Sequence, residues 1–472
     1  MALSRHPFRA VNLISDPIHG YLELTKRIAG ADARGVGLPD EDAVEQDIVD
    51  AAWVQRLRRV SQLQSARWVF PTAEHSRFTH GLGVMHEAGL WGRALYPSLR
   101  ATLSAAGACV APPSEALVVE TLRIAGLLHD VGHGPFAHFF DEHWLSQWEA
   151  PADTRRAAGK RLSHEDLSQL IIERELGALI GSLRRAPGIE PARDAFGGGE
   201  SIDPRWVSFL VSKPALADAD MPQWVRWLQP LLSGVFTVDN LDYVRRDAYV
   251  TGVAVGPVDV ERLRRYSFIS DRGLTLYEPG LGALEMFLTA RLFMYLQVYF
   301  HRTVRAIDLD LAEVFATSIR AIFGDGSPAE RLTEYADLDE YALLHQAALW
   351  VRGEDVARDG DARPGDGRVS AEVADAWRAI LLRRPRWRAE AEIRADYEEG
   401  AFPARRVTSL GAAEAGRVAI DLATVDARPA DATATDTLLA IEARDGGTSM
   451  RLSDALARLP AWSLIARRYR RL

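Results

Sequence analysis

The chain has 472 residues, 47% of them hydrophobic and 26% charged, with a formal net charge of −9. That length exceeds the usual single core and predicts one large domain with at least one appendage, in a soluble globular protein. The acidic balance gives no global signal for nucleic acid, although it leaves a local basic patch open. The single cysteine, Cys109, excludes an intrachain disulfide framework and points to a reducing interior. An N-terminus without an apolar signal core and the lack of an uninterrupted membrane-length apolar run predict a cytoplasmic protein with no membrane partner.

In chain order, Val11-Asn12-Leu13-Ile14 and Tyr21-Leu22-Glu23-Leu24 read as extended segments around a turn at Asp16-Pro17. From about 45 to 245 the pattern is mainly helical. Val54, Leu57, Val60 and Leu63 recur at helical spacing, with Arg56, Arg58 and Arg59 between them. Residues 117 to 130 are apolar on nearly every face, which predicts a helix buried on all sides. The Pro- and Gly-rich stretch 186 to 204 predicts a surface loop. Asp271-Arg272-Gly273 between two apolar runs predicts a hairpin over 267 to 277, and a long helix follows from about 280 to 323. The segment 353 to 367 is too rich in Asp, Gly and Arg to fold alone. One or two helices and strand-like runs at 418 to 422 and 438 to 441 come after it. The expected organisation is a mainly α domain over 1–325 with small β-hairpins, and a small α+β appendage over 326–472.

The densest chemistry lies in Leu-Leu-His-Asp-Val-Gly-His-Gly-Pro-Phe-Ala-His at 127 to 138. Adjacent His129 and Asp130 at the end of an apolar run are costly to bury unless something uses them. Imidazole beside carboxylate suits one divalent cation, and His133, His138 and Asp141 follow closely. The rival reading is a hydrogen-bonded core histidine next to a helix-terminating aspartate. Three other segments share this composition: His75-Ser76-Arg77-Phe78-Thr79-His80, Ser163-His164-Glu165-Asp166, and Asp239-Asn240-Leu241-Asp242-Tyr243-Val244-Arg245-Arg246-Asp247. In the last, Asp239, Asp242 and Arg246 share one helix face.

The order His…His-Asp…Asp resembles that of the HD superfamily of metal-dependent phosphohydrolases. The match narrows through Asp16-Pro17-Ile18-His19-Gly20, Arg-Phe-x-His at 77 to 80, His-Asp-x-Gly-His-Gly-Pro-Phe at 129 to 136, and Asp-x-x-Asp-Tyr-x-x-Arg-Asp at 239 to 247. Together these resemble the deoxynucleoside triphosphate triphosphohydrolases, over roughly residues 10 to 325, with no sterile-alpha-motif segment expected ahead of them. The resemblance implies an HD helical bundle, with His80, His129, Asp130 and Asp239 ligating Mn, Mg, Fe or Zn. It implies His164 as general acid at the leaving 5′-oxygen, His133, His138 and Asp141 around the α-phosphate, and Arg77 neutralising phosphate charge. It assigns Gln62 to the sugar 3′-hydroxyl, Tyr243 and Asp247 to exclusion of ribose, and Arg291, Tyr299 and His301 to the terminal phosphate and base. The products would be a deoxynucleoside and inorganic triphosphate.

Three departures bear on substrate. Asn240 stands where the animal enzyme has a phosphate-binding lysine, Phe300 replaces a glutamine near the base, and Gln64 and Ser65 replace a glycine pair. A second reading is therefore an HD phosphohydrolase acting on nucleoside monophosphates or another phosphorylated nucleotide. A third is a non-catalytic metal-bearing regulatory or nucleic-acid-binding protein. Arg383-Arg384-Pro385-Arg386-Trp387-Arg388 and Arg467-Arg468-Tyr469-Arg470-Arg471 motivate it. The resemblance also implies a homo-oligomer, dimer to hexamer, and an allosteric nucleotide, with the arginines of 56 to 59 or of the appendage as interface residues. Nucleotide-pool control and phage defence both fit.

Overall fold

The computed structural model describes residues 11–26, 42–105, 111–155, 159–188, 191–212, 220–357, 362–398, 400–426, 439–444, 449–450, 455–456 and 458–472. Cys109, Leu438 and parts of both predicted loops lie outside the described residues. The fold is mainly helical. Strands β1 (Val11–Asp16) and β2 (Gly20–Thr25) form the first hairpin. The long helix α1 (Arg77–Ala105) packs along α2 (Glu115–Leu128). In α2 every residue from Ala116 to Leu128 is buried, as a pattern apolar on nearly every face predicts. Even its charged pair is internal: Glu120 is fully buried, and Arg123 Nε meets Glu45 at 2.6 Å. Ser114 starts α2, its hydroxyl accepting the Leu117 N–H at 3.2 Å.

Two short helices, α3 (His138–His143) and α4 (His164–Leu170), and the helix α5 (Val238–Thr251) surround the end of α2. The predicted hairpin forms as β3 (Ser267–Ser270) and β4 (Gly273–Tyr277). The predicted helix over 280 to 323 is two helices, α6 (Leu281–Met294) and α7 (Arg302–Phe323). A π-turn over Tyr295–Tyr299 and a break at Phe300 separate them. The stretch Glu278–Tyr299 is 22 residues long and apolar enough by length and composition to cross a membrane, although Glu285 and Arg291 interrupt it. Here Ala283, Leu284, Phe287 and Leu288 turn one face of it into the core.

The predicted boundary near 325 does not coincide with a break in packing. One hydrophobic cluster runs from Leu22 to Leu456 and contains Tyr335, Leu338, Leu343 and Trp350. The Tyr335 hydroxyl donates to Gly132 O at 2.8 Å, and buried Arg56 donates to His133 O at 2.6 Å and Leu338 O at 2.5 Å. Glu340 accepts from Ser61 N and Arg67. Helices α8 (Glu340–Val351) and α9 (Ala371–Leu381) therefore complete the bundle, and Arg56 is an internal tie, not an interface residue.

The C-terminal strands are β5 (Trp387–Tyr397), β6 (Val418–Asp426), β7 (Ala440–Glu442), β8 (Ser449–Met450) and β9 (Trp462–Arg471). The antiparallel sheet β5-β9-β6 leans on the π-turn through Phe300, Ala423, Val425 and Ile465. Strand β7 adds to β4 in parallel and pairs with β8. The basic tail is the middle strand β9, and its arginines are paired. Arg467 meets Glu392 at 2.7 Å, Arg468 and Arg470 meet Glu390, and Arg471 and Arg386 meet Glu313. Phe300 belongs to this sheet interface and does not line the cavity described below.

Candidate metal centre and its cavity

Four side chains converge where α1, α2 and α5 meet. His80, from the first turn of α1, turns Nε2 to Asp239 at 3.0 Å and to Asp130 at 3.9 Å. His129, capping α2, turns Nε2 to Asp130 at 3.3 Å and to Asp239 at 3.6 Å. Each imidazole has its other nitrogen committed. His80 Nδ1 donates to Asp242 at 2.8 Å, and His129 Nδ1 donates to Gly126 O at 2.8 Å. Both rings therefore turn Nε2 towards the carboxylates of Asp130 and Asp239. With their Nε2 protons displaced, the two imidazoles and Asp239, with Asp130 beside His129 at 3.3 Å, make a donor set that fits a divalent cation.

The electrostatics keep both carboxylates ionised. Burial opposes charge on Asp130, yet the Arg77 guanidinium, then His129 and His133, hold it well below the usual carboxylate range. Burial likewise opposes charge on Asp239, but hydrogen bonds from His129 and His80 lower its pKa. Asp242 is fully buried and accepts from His19 at 2.6 Å, from His80, and from Arg246 at 2.8 Å. It is the residue that sequence reading passed over, placed on the right helix face without a role. Gly83 makes its position attainable, since a Cβ there would lie 2.1 Å from Asp242 Oδ1.

A second group stands beside the first. His164, at the start of α4, is hydrogen-bonded through Nδ1 to Asp141 and stacks on His133 at 3.7 Å. His138 approaches Asp141 at 3.5 Å and is exposed. Although burial disfavours charge on His164, the Asp141 carboxylate raises its pKa above the ordinary histidine value. His133 is shifted the other way, well below it, by burial and then the charges of Arg77 and His164. Ser163 and Asp166 cap α4 reciprocally. Gly132 lets α4 approach, because a Cβ there would meet His164 O at 2.2 Å. The Gly132 N–H is then bonded by Ser168 Oγ at 2.9 Å.

Both groups open on a cavity of about 570 Å³. Its wall includes Gln62, Arg77, His129, Asp130, His138, His164, Asp239, Asn240, Tyr243, Asp247, Arg291 and Tyr299, all named from sequence. It also includes Ser65, Arg305 and Asp308, which form a polar cluster: Ser65 Oγ donates to Asp308, and Arg305 reaches Asp308 at 3.3 Å. No local motif marks Arg305 or Asp308, because they read as part of an amphipathic helix. Asp247 accepts from Tyr299 at 2.5 Å and His75 at 2.9 Å. Asn240 closes a capping box with Thr237, its Oδ1 accepting the Thr237 N–H at 2.7 Å. His301 is not on the wall. Its Nδ1 accepts the Thr303 N–H at 3.3 Å as the N-cap of α7, and its ring faces Phe70. The π-turn explains the error, since it changes which side each following residue faces relative to a continuous α-helix.

The family models that match are the HD domain, over residues 77–191, and an HD-associated region, over residues 258–358. The uncharacterized protein YwfO of Bacillus subtilis is 26% identical over 363 residues, covering 73% of this chain and 67% of that protein. Deoxynucleoside triphosphate triphosphohydrolase SAMHD1 of Homo sapiens is 26% identical over 355 residues, covering 71% of this chain and 49% of its own. The SAMHD1 homolog of Dictyostelium discoideum is 26% identical over 313 residues, with 65% and 49% covered. The match thus spans about half the length of these two triphosphohydrolases. In fold, a hypothetical protein from Aquifex aeolicus superposes with a TM-score of 0.65 at 22% identity, covering 98% of this chain and 96% of that one. A phosphohydrolase from Bacteroides thetaiotaomicron gives 0.61 at 20%, covering 97% and 99%. The chain thus carries segments that match an HD domain and an HD-associated region, and it is similar in sequence to the SAMHD1 triphosphohydrolases.

Proposed function

We propose that this protein is a metal-dependent phosphohydrolase that cleaves deoxynucleoside triphosphates to deoxynucleoside and inorganic triphosphate. The observation that carries the reading is the paired commitment of Nδ1 in His80 and His129. It turns both Nε2 atoms onto Asp130 and Asp239 at the head of a nucleotide-sized cavity. A divalent cation (Mn, Mg, Fe or Zn) held by these four residues would bring positive charge to a phosphate oxygen and acidify water.

The chain's own residues supply the rest. His164, its charge favoured by Asp141, would donate a proton to the leaving 5′-oxygen. His133 stacks flat on that ring and limits its rotation. Arg77 balances the charge of Asp130 and lines the cavity, where it would meet the charge of a phosphate. Gln62 lines the cavity with a buried Oε1 that makes no hydrogen bond, so a sugar hydroxyl has an acceptor there. Tyr243, held by Arg291 at 3.4 Å, and Asp247, held by Tyr299, form a wall suited to excluding a ribose 2′-hydroxyl.

One observation favours the second reading, a nucleoside monophosphate as substrate. Asn240 replaces a lysine of the resembling enzymes and spends its carbonyl on the helix cap. The nucleic-acid reading has less support, because the tail arginines are paired within the sheet. A cytoplasmic homo-oligomer with a nucleotide activator belongs to the same proposal.

Product analysis tests it. With Mn²⁺ present, each deoxynucleoside triphosphate is supplied singly and in pairs, alongside monophosphates and ribonucleotides. Deoxynucleoside plus inorganic triphosphate is the expected result, and a requirement for pairs would reveal the activator. Turnover confined to monophosphates would select the second reading. No turnover by metal-loaded protein across the panel would overturn both.

A further inference from the structure

Among the described residues, the cavity wall carries three arginines, and each is already engaged by a carboxylate. Arg77 pairs with Asp130. Arg305 binds Asp421 through two contacts, at 2.5 and 3.1 Å, and touches Asp308 at 3.3 Å on its other side. Arg291 donates through Nη1 to the backbone carbonyl of Asp426 at 2.9 Å and reaches that residue's carboxylate at 3.5 Å. Asp421 and Asp426 both come from β6, a strand far along the chain from the HD motifs. The strand is seated there by apolar packing of Ala423 and Val425 with Ile465 and Phe300.

The consequence follows from charge. A phosphate oxygen that reaches Arg291 or Arg305 must draw the guanidinium away from its carboxylate, or bind beside that carboxylate. Either way one anion is left close to another in a partly desolvated site, and the repulsion grows with each added phosphate. A monophosphate held at the metal end needs neither arginine.

We propose that β6 sets the phosphate number the cavity admits: Asp426, by holding Arg291, and Asp421, by holding Arg305, weaken triphosphate binding selectively. This rests on the reading that the cavity takes a nucleotide phosphate. Asp426 and Asp421 are then specificity-determining residues that act through the arginines they hold. The C-terminal sheet contributes to substrate choice without touching the metal ligands.

The test is binding calorimetry with dAMP, dADP, dATP and inorganic triphosphate in the presence of Mn²⁺. It uses full-length His164→Ala protein, to slow turnover, with and without Asp426→Asn. The Asp426 side chain is 40% exposed, so asparagine is expected to leave the fold intact, which a thermal melt verifies. Removing this partly exposed charge should tighten dATP and inorganic triphosphate by about fivefold, while dAMP is unchanged. Asp421→Asn should act in the same direction through Arg305. Adding Arg291→Met to Asp426→Asn should abolish the gain, which a merely structural effect would not do. Equal changes for dAMP and dATP, or no change for either, would overturn the proposal. Failure of every phosphate ligand to bind either protein would overturn the nucleotide reading itself, and this inference with it.

Discussion

His80 and Asp242 are joined by a 2.8 Å hydrogen bond that leaves Nε2 of the histidine facing Asp239 in the candidate metal centre. Asp242 is itself held by His19 and Arg246, and Arg246 is held by Asp16 at 2.8 Å. The first hairpin thus braces the candidate centre from behind, with Asp16 and His19 of the Asp-Pro-Ile-His-Gly segment bonded to Arg246 and Asp242.

Replacing Asp242 by asparagine keeps the shape but removes the charge that orients His80. Metal affinity should fall about 10- to 100-fold, the usual scale for such outer partners. Gly83→Ala should produce a related loss by crowding Asp242. Metal titration of both variants, with circular dichroism to confirm folding, checks this. Unchanged affinity in Asp242→Asn would show that His80 is not oriented by this bond.

His129→Ala with Asp130→Ala should abolish both metal binding and turnover. His164→Ala should spare the metal and slow hydrolysis by roughly 10²- to 10⁴-fold, the range for a lost general acid. Asp141→Asn should move the alkaline limb of the rate profile to lower pH. The sign follows from the raised pKa of His164: its protonated form is lost as pH rises through that value, and without Asp141 the loss comes sooner. Metal analysis beside pH-rate profiles separates these effects. An unmoved limb in Asp141→Asn would exclude the pairing as the source of the acid.

Asp308 gives a stability prediction. Burial pushes its carboxyl up to about 6, against the opposing pull of Arg305 and Ser65. The folded state therefore holds this proton more tightly than the unfolded chain, whose aspartates titrate near ~3.9. The stabilisation is complete below the unfolded value and is lost as pH rises through about 6. Asp308→Asn should be more stable than the parent at pH 7.5 by up to ~2 kcal/mol, with the difference shrinking towards pH 4. Urea unfolding at the two pH values measures it. A pH-independent difference would mean that the carboxyl is ionised throughout.

A fragment ending at residue 325 should not fold cooperatively. It would lack Tyr335, Leu338, Leu343 and Trp350, which are buried in the same cluster as the helices of the metal centre, and would strip Arg56 of a partner. Loss of even one large buried aromatic costs about 3–5 kcal/mol, comparable to much of a domain's stability. A sharp thermal transition in the fragment would re-establish the boundary that composition suggests.

Local sequence determined the pieces of this protein. The nearly continuous apolar run before His129 favours a fully buried α2, and caps at Ser114, Ser163 and Thr237 start the helix that ends at His129 and the helices that carry His164 and Asp239. The histidines and carboxylates were legible because such groups rarely accumulate near apolar runs without a use. Tertiary structure decided what no window of sequence contains. It placed Asp242 behind His80, passed Arg56 from the HD motif to Leu338, and laid the carboxylates of β6 against Arg291 and Arg305. It also turned His301 out of the cavity through a π-turn that helical periodicity could not foresee. Short-range patterns fix backbone state and burial. The partner of a buried charge is chosen by packing between segments up to hundreds of residues apart.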